Sequence, residues 1–214
     1  MKFFRNLIII LLVLLAGAWF ALTPAQAINS KNQLVNVQGA DISQYMGRAL
    51  SNAELSSQGA TSEVSLSQDE FNAVLKNSLA DSNSASVLLN GTYELKDGYI
   101  LAKLPYQIFG LMTSQIEVQI GVTLTEQTLS LDIRHARLGK LPVLNALVER
   151  AIKESLSQTS AATVSGTRIS FTLPNSASLL RTVQVQSGQL KLGVAINQDD
   201  LFSLGLNALF GGNG

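Results

Sequence analysis

The sequence predicts an α+β domain, a strongly twisted antiparallel sheet of about six to eight strands packed on one or two long amphipathic helices. Three observations predict it. In QIEVQIGVTL, residues 115–124, Ile116, Val118, Ile120, Val122 and Leu124 alternate with Gln115, Glu117, Gln119, Gly121 and Thr123. That is the period of a half-buried strand and not of a helix. The dipeptides Asn90-Gly91, Asp97-Gly98 and Ser187-Gly188 are flanked by strand-like sequence, and such pairs tolerate the positive φ angles of tight hairpins. Finally, Leu144, Leu147, Val148, Ala151, Ile152 and Leu156 fall on one face of a helix expected over residues 142–157.

Composition suits one globular domain with an apolar appendage: of 214 residues, 46% are hydrophobic and 14% charged. With Lys2 and Arg5 set aside, 13 of the 15 basic residues stand against 15 acidic ones, a net of −2. Nucleic-acid binding needs a concentrated basic surface, so no nucleic-acid partner is expected. There is no cysteine and a single histidine, which removes disulfides, thiolate chemistry and ordinary zinc or copper sites from consideration.

At the N-terminus, Lys2 and Arg5 precede an uncharged run from Leu7 to Leu22, and Ala25-Gln26-Ala27 offers small residues for a signal peptidase. Residues 1–27 are therefore expected to be an export signal or an N-terminal membrane anchor. The sixteen-residue run would span about 24 Å as a helix, short of a ~30 Å hydrocarbon core unless its limits extend outward to Phe3. Either way the rest of the chain is expected to be extracytoplasmic, periplasmic or secreted after cleavage and otherwise held at the inner membrane.

Residues 28–60 are expected to form a linker containing a short amphipathic helix, in which Ile42, Tyr45, Met46, Ala49 and Leu50 share a face and Asp41 caps the first turn. The α+β domain is expected over 61–214. It opens with a brief strand at EVSLS and a helix over 68–80, started by the capping box Ser67-Gln68-Asp69-Glu70 and carrying Phe71, Val74, Leu75 and Leu79 on its buried stripe. From Ala85 the chain is expected to meander. The strand at 116–124 turns at Glu126-Gln127 into Leu129, Leu131 and Ile133. Further strands are expected around Ile169–Leu173, Val183–Val185 and Leu190–Ile196, with Gly121, Gly166 and Gly193 as bends in strand interiors. Residues 199–210 form an apolar segment begun by Asp199-Asp200.

The order of these pieces resembles the YpmS-like family of uncharacterised bacterial envelope proteins. The residues that carry the resemblance are SLSQDEFNAVLKNSL at 65–79, LSLDIRHARLGKLPV at 129–143 and QSGQLKLGVAINQDDL near the end. The resemblance implies a membrane-proximal, exported domain. More loosely, a long antiparallel sheet wrapped around a helix is similar to tubular lipid-binding domains, a likeness of fold alone.

No catalytic residue is expected. The acidic pairs Asp69-Glu70 and Asp199-Asp200 sit at helix starts, where they offset the helix dipole. No G-x-S-x-G elbow, P-loop or dinucleotide fingerprint occurs. The expected activity is non-enzymatic and without a cofactor: binding of a lipid or another hydrophobic small molecule in an apolar groove between sheet and helix, at the membrane surface. Val118, Ile120, Val122, Leu131, Leu147 and Val148 are the expected lining, and Arg134, Arg137 and Lys140 the expected contacts to an anionic head group. The alternative is an envelope scaffold that binds a protein partner through the apolar segment 199–210 or the helix at 41–50.

Overall fold

The computed structural model describes residue 21 and residues 30–56, 59–79, 88–108, 112–156, 162–173 and 180–197. Apart from residue 21, the expected N-terminal segment 1–27 lies outside the described residues, as does the segment 199–210. Eleven strands and three α-helices are described: β1 (Glu54–Ser56), β2 (Gly59–Ser67), β3 (Thr92–Lys96), β4 (Tyr99–Ile108), β5 (Met112–Thr125), β6 (Thr128–Leu138), β7 (Leu141–Pro142), β8 (Ala162–Ser165), β9 (Arg168–Thr172), β10 (Leu180–Gln186) and β11 (Gln189–Asn197), with α1 (Ile42–Ser51), α2 (Gln68–Leu79) and α3 (Asn145–Leu156).

The fold is dominated by antiparallel sheet, but by two sheets where the sequence predicted one. The larger has seven strands, ordered β3-β4-β5-β6-β9-β8 with β7 paired to the end of β6. The smaller is β1-β2-β11-β10. Long alternating strands cannot show from their own sequence which strands lie against them, so the division was not legible. The two sheets are joined at two interlocked hairpin turns. Gly98 of the β3–β4 turn donates its N–H to Val185 O at 2.9 Å, and Gly188 of the β10–β11 turn donates to Leu95 O at 3.0 Å. The Asp97 carboxylate accepts the Ser187 N–H at 2.8 Å. Both glycines have positive φ, 80° and 74°, which a side chain would disfavour.

Two buried clusters form the core. Tyr45, Val64, Leu66 and Leu192 make one, and Phe71, Leu95 and Val185 make the other, with Ile100 and Val122 packed against the second. Strand β10 lies against β5, so a strand covers part of the face for which the sequence predicted helices.

Several local expectations hold in atomic detail. The Ser43 N–H donates to Asp41 Oδ1 at 2.9 Å at the start of α1. At the start of α2, the Ser67 N–H donates to Glu70 Oε2 at 2.9 Å, and the Glu70 N–H donates back to Ser67 Oγ at 3.4 Å, the reciprocal pair of a capping box. The Ser67 backbone hydrogen bond is the main reason the Glu70 carboxyl titrates below its ordinary 4.5. A carboxyl with a lowered folded pKa stabilises the fold above its unfolded pKa, and that contribution is lost as the pH falls through the folded value. Glu70→Ala is therefore expected to cost about 1 kcal/mol at neutral pH, with a gap from the parent protein that closes below pH 4.5. Thermal melts of both proteins between neutral and acid pH check this, and a gap independent of pH would show that the carboxylate is not the stabilising species.

Other expectations change. The segment expected as a linker is built into the domain: Leu34 is fully buried, its N–H donates to Gly91 O at 3.1 Å, and Tyr45 belongs to the first core cluster. One leucine in a polar stretch has no periodicity to reveal it. Asn90-Gly91 leads into β3 through a Gly91 N–H to Leu88 O bond of 3.0 Å. Packing is close there: a Cβ would lie 2.5 Å from Leu104 Cδ2 and 3.0 Å from Leu88 O, so a side chain would displace its neighbours. Gly166 is not in a strand interior but in the β8–β9 turn with φ 60°. Pro142, expected in the first turn of the long helix, pairs with Arg137 in β7, an edge position that a residue without an N–H tolerates.

Gly121 and Gly193 do sit in strands beside irregularities of register. Between β5 and β6, Gln119 pairs with His135 and Ile120 with Ile133, so Arg134 is an inserted residue. Its guanidinium lies over Gly121, where a Cβ would come within 2.9 Å of Cζ. Leu129, Leu131 and Ile133 face the same side as Ala136 and Leu138 because the insertion changes the phase of the alternation between them.

Candidate apolar groove

The helix expected to be buried along one stripe is not. Leu144 is 70% exposed and Leu147 57%, while Ile152 is buried. Its charged residues are paired along the helix instead, Arg150 with Glu154 at 2.7 Å and Lys153 with Glu149 at 2.6 Å. Between α3 and the larger sheet lies a groove of about 570 Å³.

Its floor is the apolar face of the sheet. Ile116 and Val118 come from β5, and Ile133, Ala136 and Leu138 from β6. Ile169 and Phe171 of β9 join them, since they pair with Leu131 and Leu129. Tyr106 of β4 and Val143, just after β7, close one end. Leu147, Val148, Ala151 and Ile152 of α3 form the facing wall. Tyr106, the one lining side chain with a polar atom, is 46% exposed. Along β6, the distance from Leu138 to the level of Leu129 and Phe171 is roughly 25 Å at about 3.3 Å per residue.

Of the residues expected to line a groove, Val118, Leu147 and Val148 do so. Val122 packs instead against the cluster of Phe71, Leu95 and Val185. Ile120 and Leu131 are half-buried on the same sheet face, paired with Ile133 and Val122, but are not in the lining. The strand's apolar face is thus divided: its Val122 end meets the protein's own core, and its Ile116 end opens on the groove. Ile133 was recognised as a strand residue with Leu129 and Leu131, but Ala136 and Leu138 were not singled out, because the inserted Arg134 breaks the alternation that would have grouped them with it. Ile169 and Phe171 were recognised as strand residues, but their place beside β6 is a long-range pairing.

The basic residues are not brought together at the groove. Arg137 alternates with the lining residues Ala136 and Leu138 and pairs with Glu117, so it points to the opposite side of the sheet. Arg134 lies over Gly121 on that same outer side. Lys140 is exposed in the Gly139–Lys140 turn, between the lining residues Leu138 and Val143. His135 is exposed and pairs with Gln119. Among the described residues no group of histidine or carboxylate side chains is arranged to hold a metal ion.

A second, polar pocket of about 390 Å³ lies at the start of α2. Gln68 ties it together, donating to Tyr93 O at 2.8 Å and accepting the Leu95 N–H at 2.7 Å. Burial pushes the Tyr93 hydroxyl up to about 12, so it stays protonated and donates to Leu88 O at 3.1 Å. The Gln68 bonds join α2 to β3.

Compared with known proteins, the chain matches no family model, no curated protein and no solved structure. Among the described residues no helix is long and apolar enough to cross a membrane.

Proposed function

We propose that this chain is a non-enzymatic, exported envelope protein that binds the acyl chain of a lipid, or a hydrophobic molecule of similar shape, in the groove between α3 and the larger sheet. One observation carries the proposal: an apolar groove of about 570 Å³ lies open beside α3, whose lining residue Leu147 is 57% exposed. Such a volume lies within the ~300–1,000 Å³ of ordinary ligand sites, which are mostly apolar with few polar groups. Covering each exposed branched aliphatic is worth roughly 1.5–3 kcal/mol, so several together supply a useful affinity without any charged contact.

The division of the β5 face supports the same reading. The core takes what it needs at Val122, and the remaining apolar side chains, held in place by strand pairing, face the groove with α3 as its other wall. The resemblance to the YpmS-like family and the expected export signal or anchor at residues 1–27 agree with an envelope role. The scaffold alternative finds less support in α1, because Tyr45 is committed to the core; the segment 199–210 lies outside the described residues.

Native mass spectrometry of the full chain, extracted from membranes in mild detergent, tests the proposal. Lipid retained at one molecule per chain, and displaced by added fatty acid, is the expected result. A chain that stays at its apo mass with both phospholipid and fatty acid in excess would overturn it.

A further inference from the structure

Away from the groove, the polar pocket of about 390 Å³ at the start of α2 contains two buried polar groups whose hydrogen bonds the fold leaves unmade. Asn72 is 8% exposed and Thr92 5%, and both line the pocket. Gln68 fixes which way the Asn72 amide is turned. The Gln68 amide donates to Tyr93 O and accepts the Leu95 N–H, so its nitrogen faces Asn72, and the Asn72 oxygen is the atom that can meet it, at 3.1 Å. Asn72 Nδ2 is thereby left without a partner among the described residues, and so is the Thr92 hydroxyl. Neither atom is sealed off, because Gln115 Oε1 is the one unpartnered side-chain atom closed from solvent among the described residues. Both open on the pocket, and native folds rarely keep buried polar groups unpaired without a reason.

The rest of the lining narrows the ligand. Its charged side chains balance, Lys31 and Lys96 against Asp69 and Glu94. Lys96 is bound to Glu94 at 2.8 Å, and Glu94 also takes Lys103 at 3.2 Å. The Asp69 carboxylate has no cationic partner among the described residues, which disfavours an anionic ligand. A peptide adding a strand to the edge of β3 would need the Tyr93 carbonyl and the N–H and carbonyl of Leu95, and Gln68 and Gly188 already engage all three. Asp69 and Asn72 lie three residues apart on α2, neighbours on one helix face, with Thr92 on β3. A carboxylate, an amide N–H and a hydroxyl so placed suit a run of neighbouring hydroxyls, because each hydroxyl both donates and accepts. Val37, Tyr93 and Leu95 add carbon surface for the C–H groups between them.

We propose that this pocket binds a neutral sugar residue. Asn72 Nδ2 and the Thr92 hydroxyl bond to hydroxyls of the ring, and the Asp69 carboxylate accepts a charge-assisted hydrogen bond from another. The pocket volume of about 390 Å³ lies within the ~300–1,000 Å³ of ordinary small-ligand sites. It shares no lining residue with the apolar groove, so the two sites stand or fall separately.

The test is titration of the full chain, in a detergent without a sugar head group, with glucose, galactose, mannose, N-acetylglucosamine and disaccharides built from them, read by saturation-transfer NMR beside thermal melts. At least one of these sugars is expected to bind at millimolar concentration or below. Thr92→Val keeps the side-chain shape and removes the hydroxyl. It is expected to weaken that sugar at least about tenfold, with a melting temperature equal to the parent's or higher, because the lost hydroxyl bonds to nothing in the fold. Thr92→Ser is expected to keep the binding. Asn72→Leu is expected to weaken the sugar to a similar degree, and the Thr92 pair decides the matter if Asn72→Leu does not fold. No binding by any sugar of the panel at tens of millimolar, or binding that survives Thr92→Val, would overturn the proposal. So would a Thr92→Val chain that melts well below the parent, since the hydroxyl would then have a partner inside the fold. Tighter binding of inorganic phosphate or of trialanine than of every sugar would assign the pocket to an anion or a peptide instead.

Discussion

Leu147→Asp is expected to weaken acyl-chain binding roughly 100-fold, about 2.7 kcal/mol, while the melting temperature moves by no more than about two degrees. The two effects separate because Leu147 is 57% exposed, and exposed substitutions usually change stability by less than about 0.5 kcal/mol. Position 147 also lies in the first turn of α3, where a carboxylate is favoured by the helix dipole. Binding is another matter. An acyl chain laid along Val118 and Val148 would press the new carboxylate out of water with no cation in the groove lining to meet it, and burying an unpaired charge is strongly unfavourable. Titration with a fluorescent fatty acid, beside thermal melts of the same samples, measures both quantities. Unchanged affinity with an unchanged melt would exclude the groove as the binding site.

Leu34→Ala is expected to destabilise the fold by roughly 3 kcal/mol, in the range of buried leucine truncations, lowering the melting temperature by about 6–12 °C for a chain of this size. Leu34 is fully buried, and the Lys76 ammonium group donates to the carbonyls of Val35 and Val37 beside it. These contacts fasten the 30–40 segment to α2. Val35→Ala is the matching control, because Val35 is 46% exposed and should cost less than about 0.5 kcal/mol. Denaturant melts of the two variants decide the matter: equal, small losses would mean that the segment is a linker after all.

Part of the candidate site was legible before the fold was known. Val118, Leu147 and Val148 were recoverable because each belongs to an uninterrupted local pattern, a period of two in β5 and a helical stripe in α3. Ala136 and Leu138 were not, because Arg134 shifts the phase of β6 and a rule of strict alternation then assigns them to the wrong side. Arg134, Arg137 and Lys140 are neighbours in sequence and appeared as one basic patch. Alternation in β6 sends Arg137 to the side opposite the groove, and Arg134 lies there too, over Gly121. A cluster on paper is a cluster in space only when the backbone between its members keeps them on one side.

What the sequence determined by itself is everything governed by a few consecutive residues. The Ser67–Glu70 capping box, the Asp97-Gly98 and Ser187-Gly188 turns and the hairpin of β5 with β6 were all present in it, because their energies depend on φ preferences, local hydrogen bonds and side-chain alternation. Tertiary structure alone decided which apolar surfaces meet. It placed β10 over the Val122 end of β5, sank Leu34 into the domain and left the Ile116 end of β5 facing an uncovered helix. Hydrophobic burial is non-directional and pays no attention to chain distance. An alternating strand therefore states that its face must be covered, and only the packed fold states by what, and where the cover stops.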